Sequence, residues 1–67
     1  MEILMITEYL VTGQGYEKND PYKQNTILYD TFDASDDTDA KKQFDFLFSM
    51  THKITKIYSA IKTDTND

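Results

Sequence analysis

The 67-residue chain contains no cysteine, no tryptophan and no arginine, and only one proline, two glycines and one histidine. Without cysteine no disulfide can staple the fold, and no thiolate can hold a metal. With His52 alone, no second imidazole or thiolate is present to complete a zinc site. All seven basic residues are lysine. Proteins that read bases or clamp phosphates lean on arginine's bidentate fork, so direct nucleic-acid binding is not expected. The N-terminal stretch "MEILMITEYL" has Glu2 where a signal peptide needs positive charge, and its uncharged run from Ile3 to Thr7 is far too short to span a bilayer. The expectation is a soluble cytoplasmic protein with no membrane contact.

What is present is acid, and it is unevenly placed. The formal net charge is -5. Residues 1–29 carry -2, residues 30–45 carry -4 and residues 46–67 carry +1. A chain of this length is one domain, which buries only about 60% of its unfolded surface on folding. We assign residues 1–62 to that domain and residues 63–67, the polar "TDTND", to a fraying tail.

Four elements are predicted. Residues 2–11 are rich in β-branched and long apolar side chains and read as a strand. The segment "GQGYEKNDPYKQ" holds both glycines and the proline, and reads as a loop over residues 13–24 turning at Asn19-Asp20-Pro21. Residues 25–32 form a second strand. Ala40, Phe44, Leu47 and Phe48 then fall on one helical face, which predicts a helix ending near Met50 or Thr51 with Phe44 and Leu47 buried beneath it. Residues 53–62 form the third strand. The order β-β-α-β gives an α+β domain: a three-stranded antiparallel sheet, order 2-1-3, with one helix on one face. Ile3, Met5, Thr7, Tyr9 and Val11 carry no charge and are placed under the helix. Glu2, Leu4, Ile6, Glu8 and Leu10 are placed on the opposite, partly open face, and an uncovered apolar face marks a contact surface.

The stretch "DTFDASDDTDAKKQF" holds five of the twelve acidic residues. Asp36 or Asp37 is placed to cap the helix, with Asp39 in the first turn. A calcium loop starting at Asp33 fails, because Thr38 stands where the sharp turn needs glycine and Phe44 where a bidentate glutamate is needed. No metal or other cofactor is expected. The remaining acids, Asp30, Asp33 and Asp45 with Asp36 and Asp37, read first as a solvated acidic surface that keeps a small protein soluble, and functionally as an acidic patch suited to a basic surface on another protein. Tyr16 and Tyr22, on the predicted loop, and Phe46, off the helix's apolar stripe, are the candidate contact residues. A Gly13-x-Gly15 phosphate cradle is disfavoured, since no helix follows it. Tyr58 with Lys53, Lys56 and Lys62 is the one aromatic–basic grouping, and the lysines read better as edge-strand protection.

His52 sits at the helix-to-strand junction, suited to the helix C-terminus rather than to a base's role. No serine lies in a G-x-S-x-G turn, so catalysis is not expected. In size and composition, rich in Lys, Ile, Tyr and Asp with no Arg or Trp, the chain resembles the small accessory proteins of tailed phages with AT-rich genomes. That resemblance implies a protein that binds and blocks a host enzyme or defence complex, CRISPR effectors included. The expected function is a non-enzymatic protein-binding module, an anti-defence inhibitor that occupies a basic or nucleic-acid-handling surface of a host protein. The alternative is a small regulatory or nucleic-acid-binding homodimer that pairs its open sheet faces.

Overall fold

The computed structural model describes residues 6–63. Strands β1 (Thr7–Glu17) and β2 (Thr26–Ala34), helix α1 (Asp37–Phe48) and strand β3 (His52–Lys62) follow in that order. They form an antiparallel sheet ordered β2-β1-β3. The expected α+β architecture is the one observed. The expected positions of Glu2, Ile3, Leu4 and Met5 lie outside the described residues.

The expected and observed structures part at the glycines. β1 does not stop at Val11 but runs through Gly13 and Gly15 to Glu17, so the connection to β2 covers residues 18–25 instead of 13–24. As the central strand, β1 is paired on both edges, and that ladder outweighs the weak strand preference of glycine. Gly13 is needed for a packing reason. A Cβ built there would stand 2.6 Å from the Lys56 carbonyl oxygen and 2.9 Å from Cζ of Phe44. At Gly15 it would stand 2.5 Å from the Lys53 carbonyl oxygen. Opposite the two glycines the β1–β3 register shifts twice, leaving Tyr58 and Thr55 as extra residues in β3. Such bulges bend and twist a strand, and here they bring its backbone across the glycine positions.

The shortened loop is organised by Asp20. Its carboxylate accepts the N–H groups of Tyr22 at 3.0 Å and Gln24 at 3.1 Å, and its own N–H donates to the Glu17 carbonyl at 3.0 Å. Aspartate makes this kind of local turn readily, and the turn falls where Asn19-Asp20-Pro21 announced it.

Tyr9, Val11, Leu28, Ala34, Ala40 and Phe44 are buried, with Phe32, Phe48, Ile54, Ile57 and Ala60 packed around them. The alternation expected for β1 holds: Tyr9 and Val11 lie under the helix. The helix stripe differs by one side chain. Leu47 is 40% exposed, and Phe48 takes its place, its ring 4.8 Å from that of Phe44. Ala40, Phe44 and Phe48 are spaced by four, so the buried stripe follows one ridge of the helix and Leu47 falls on its β2 flank. Thr63 also departs from expectation. Its N–H donates to the Glu8 carbonyl at 3.0 Å and its hydroxyl to Glu8 Oε1 at 2.8 Å, while residues 64–67 of the expected tail lie outside the described residues.

The stabilities of three variants should separate these roles. Domains of this size are stable by roughly 3–10 kcal/mol, and Phe44→Ala should cost about 3–5 kcal/mol, enough to abolish cooperative unfolding. Gly13→Ala should cost about 1–3 kcal/mol or more by overpacking, because backbone and a ring both stand in the way. Leu47→Ala should cost only about 1–2 kcal/mol, given its exposure. Urea unfolding checks the order; a Gly13→Ala variant as stable as the parent would mean that the Phe44–Gly13 contact is not as tight as described.

Candidate functional site

The acidic segment is first of all a helix start. Asp36 is the N-cap, in extended backbone, and its Oδ1 accepts the Asp39 N–H at 2.8 Å. Asp39 answers in the other direction, its Oδ2 accepting the Ser35 N–H at 3.3 Å. This reciprocal arrangement follows the logic of a capping box, with an aspartate reaching one residue further back. Asp37 and Asp39 stand in the first turn, where the helix dipole favours negative charge. Gln43 ties the helix to β2 by donating to the Asp33 carbonyl at 2.9 Å. Among the described residues, no group of three His, Cys, Asp or Glu side chains is placed to hold a metal ion, and no helix is long and apolar enough to cross a membrane.

The acids do not converge on one patch. Along β2, Leu28 and Ala34 are buried beneath the helix, so Asp30 shares their side of the sheet and Asp33, at odd spacing, lies on the open side. The Asp30 carboxylate accepts the N–H of its neighbour Thr31 at 2.8 Å. Asp36 and Asp37 are exposed at the helix start, and Asp45 is exposed further along the helix. The tyrosines are separate again. Tyr16 lies within β1, half-buried on the open face opposite Lys53. Tyr22 is 86% exposed in the β1–β2 loop, which is held at the β3 start by the Lys18 N–H donating to the Thr51 carbonyl. From the pair Gly15–Thr26 beside that loop to the pair Thr7–Ala34 beside the helix start, the sheet runs about 26 Å. Tyr22 and the capping aspartates therefore occupy opposite ends of the molecule.

Phe46 is placed differently. It is 75% exposed and forms one wall of a groove with Phe32, Lys42, Gln43 and Leu47. Asp30 lies two residues from Phe32 on the same side of β2. Of the expected contact residues the groove includes Phe46; it adds Phe32, and Leu47, which the sequence had placed in the interior. An exposed aromatic ring beside a groove is the most anchor-like feature on the helix side.

His52 has a structural place. Its ring meets the edge of Phe48 at 6.0 Å, and Nδ1 lies 2.7 Å from the Thr51 hydroxyl. The contact to the helix end is thus to Thr51 and Phe48 side chains. A shallow cleft passes here, between Glu17, Lys18, Asn19, Met50, Thr51 and His52. The aromatic–basic grouping on β3 is also used internally. Lys56 Nζ stands 5.1 Å from the centre of the Tyr58 ring, and the Tyr58 hydroxyl donates to Gln14 Oε1. Lys62 pairs with Tyr9 and so faces the helix side, away from Lys53 and Lys56.

Two aspartates can be told apart by stability. Asp36→Ala should cost about 1 kcal/mol through loss of the cap, and Asp37→Ala no more than a few tenths, as expected for a dipole contact at an exposed site. Calcium should leave the melting temperature of the parent unchanged; a clear rise with calcium would restore the ion site that the spacing rejects. No protein-family model, no curated protein and no solved structure matches this chain.

Proposed function

We propose that the chain is a non-enzymatic protein-binding module that seats Phe46 in a pocket on a partner protein, with Asp30 directed at a basic part of the partner's surface. The exposure of Phe46 over the Phe32–Leu47 groove carries this reading. A large aromatic side chain on a rigid helix offers contact area at low entropic cost, and such anchors dominate binding energies. The carboxylates around it act at longer range, raising the association rate with a positively charged partner. The phage-like character of the sequence suggests the partner class: a host defence or nucleic-acid-handling protein, blocked by occupation of its basic surface. Asp33, Asp36, Asp37, Asp45 and Tyr22 lie outside the groove and on this reading contribute to the general negative field or to the fold.

Affinity capture from host lysate, before and after nuclease treatment, identifies the partner and tests whether it is held as protein. Capture should survive nuclease. With the partner in hand, Phe46→Ala should speed dissociation at least about tenfold, in the range of an anchor residue. Asp30→Lys should slow association, more at low salt than at physiological salt, where the Debye length is about 8 Å. Loss of capture on nuclease treatment, or unchanged kinetics for Phe46→Ala, would remove this reading.

A further inference from the structure

We propose that the open face of the sheet is the interface of a symmetric homodimer, covered by a second copy of this chain lying antiparallel to the first. The middle of the face mixes apolar and uncharged polar side chains. Leu10 stands between Thr31 and Ile61, Thr12 between Tyr29 and Ser59, and Gln14 between Ile27 and Lys56. Tyr29 is 67% exposed and Ile61 59%, although both lie in regular strand with neighbours on the same face. Four of these nine positions, Leu10, Ile61, Tyr29 and Ile27, are apolar, and exposed apolar side chains grouped on one sheet face mark a contact surface.

The charges on this face indicate what covers it. At one end Glu8 and Asp33 stand directly across from each other, a like-charge pair of the kind that weakens a sheet. The Glu8 carboxylate accepts from the Thr63 hydroxyl, but no cation is paired across from it on β2. At the other end lie Lys53, opposite Tyr16, and Lys56, opposite Gln14. The two ends are about 20–26 Å apart by strand rise. The strand positions on this face therefore balance, two acids against two lysines, although the chain as a whole carries -5. A two-fold axis lying in the face and running across the strands reverses their direction. It sets the acidic end of each copy on the basic end of the other, an isologous and self-complementary contact. An axis running along the strands would set acid on acid, and is disfavoured by the same charges.

Pairing through strand edges is less well prepared. β3 carries two bulges and three lysines, Lys53, Lys56 and Lys62, which protect an edge. On β2 the Asp30 carboxylate already takes the Thr31 N–H. The covered area sets the expected strength. Nine residue rows by three strands make a face of about 30 Å by 14 Å, or about 840 Å² over the two copies, below the range of stable interfaces and within that of weak, transient ones. A dimer that dissociates at micromolar concentrations is expected.

Sedimentation equilibrium of the full chain from about 1 to 300 µM should show a monomer–dimer equilibrium. Tyr29→Glu places a charge in the middle of the exposed face and should weaken the dimer at least tenfold, with the circular dichroism spectrum and thermal melt of the parent retained. Glu8→Lys and Lys53→Asp should each weaken it several-fold, and the double variant should recover most of the loss, because the axis lays each strand over its own counterpart and so brings Glu8 on β1 within one strand of Lys53 on the other copy's β3. A monomer at every concentration would overturn the proposal. So would a dimer unaffected by Tyr29→Glu, which would place the contact at an edge or at the Phe46 groove, or a double variant without recovery, which would exclude the antiparallel orientation. None of these substitutions touches Phe46 or Asp30, so failure of the dimer and failure of the partner-binding reading are separately visible.

Discussion

The structure depends on one close approach, that of the Phe44 ring to the backbone of β1 at Gly13. A helix packed on a sheet is normally held off by the side chains between them, and interiors are packed to near-crystalline density. Here the strand residue beneath the ring has no side chain, and a Cβ would meet the ring at 2.9 Å. Phe44 sinks to full burial, and the aromatic row Phe32–Phe44–Phe48–His52 forms around it, with ring centres 4.8–6.4 Å apart. With no disulfide, and with stability limited by size, this row is the main apolar investment that the chain makes.

From that contact the rest follows in order. The helix must start within reach of Ala34 to set Phe44 over Gly13, and the Asp36 cap fixes the start. The β3 backbone must cross close to both glycines, and its two bulges accomplish this. Because one helix of twelve residues is all that the described residues provide, it can cover only one side of the sheet. Elements with one apolar face need a second layer to bury it. The open face is left over by the same choice that makes the core.

Much of this was legible in the sequence, and the misreadings have a common origin. The element order, the sheet order and the Asp36 cap all follow from local signals: alternation, a change of period, and a capping residue ahead of an apolar stripe. Gly13 and Gly15 were misread because glycine announces a turn unless the side chain that will occupy its empty space is known, and Phe44 lies thirty-one positions away. Leu47 and Phe48 were both eligible for the core; only the spacing by four from Ala40 and Phe44, set by how the helix lies on the sheet, decides between them. The acidic block looked like one patch because its members are adjacent in sequence. In a strand, however, Asp30 and Asp33 point to opposite sides. The exposed face of β2 did leave a signal. Ile27 and Tyr29 alternate with Leu28, so this edge strand is apolar on both sides, which a strand with one side in water does not require.

The two surfaces are therefore consequences of one geometry rather than independent features. Phe46 stands on the helix side and Tyr29 on the opposite side of the same thin sheet, so a ligand on one does not obstruct the other. If two copies pair their open faces, the result is a four-layer molecule, helix–sheet–sheet–helix, with a Phe46 groove on each outer side and the surplus negative charge turned outward. Such a particle presents its anchor twice. Where a target offers two sites within reach, the second contact forms at the effective concentration set by the first. A weak monovalent module can then hold firmly without any new contact residue. For a chain of 67 residues with room for one core and one anchor, symmetry is the least costly route to a larger binding surface, and the charge-balanced open face is where this sequence has left room for it.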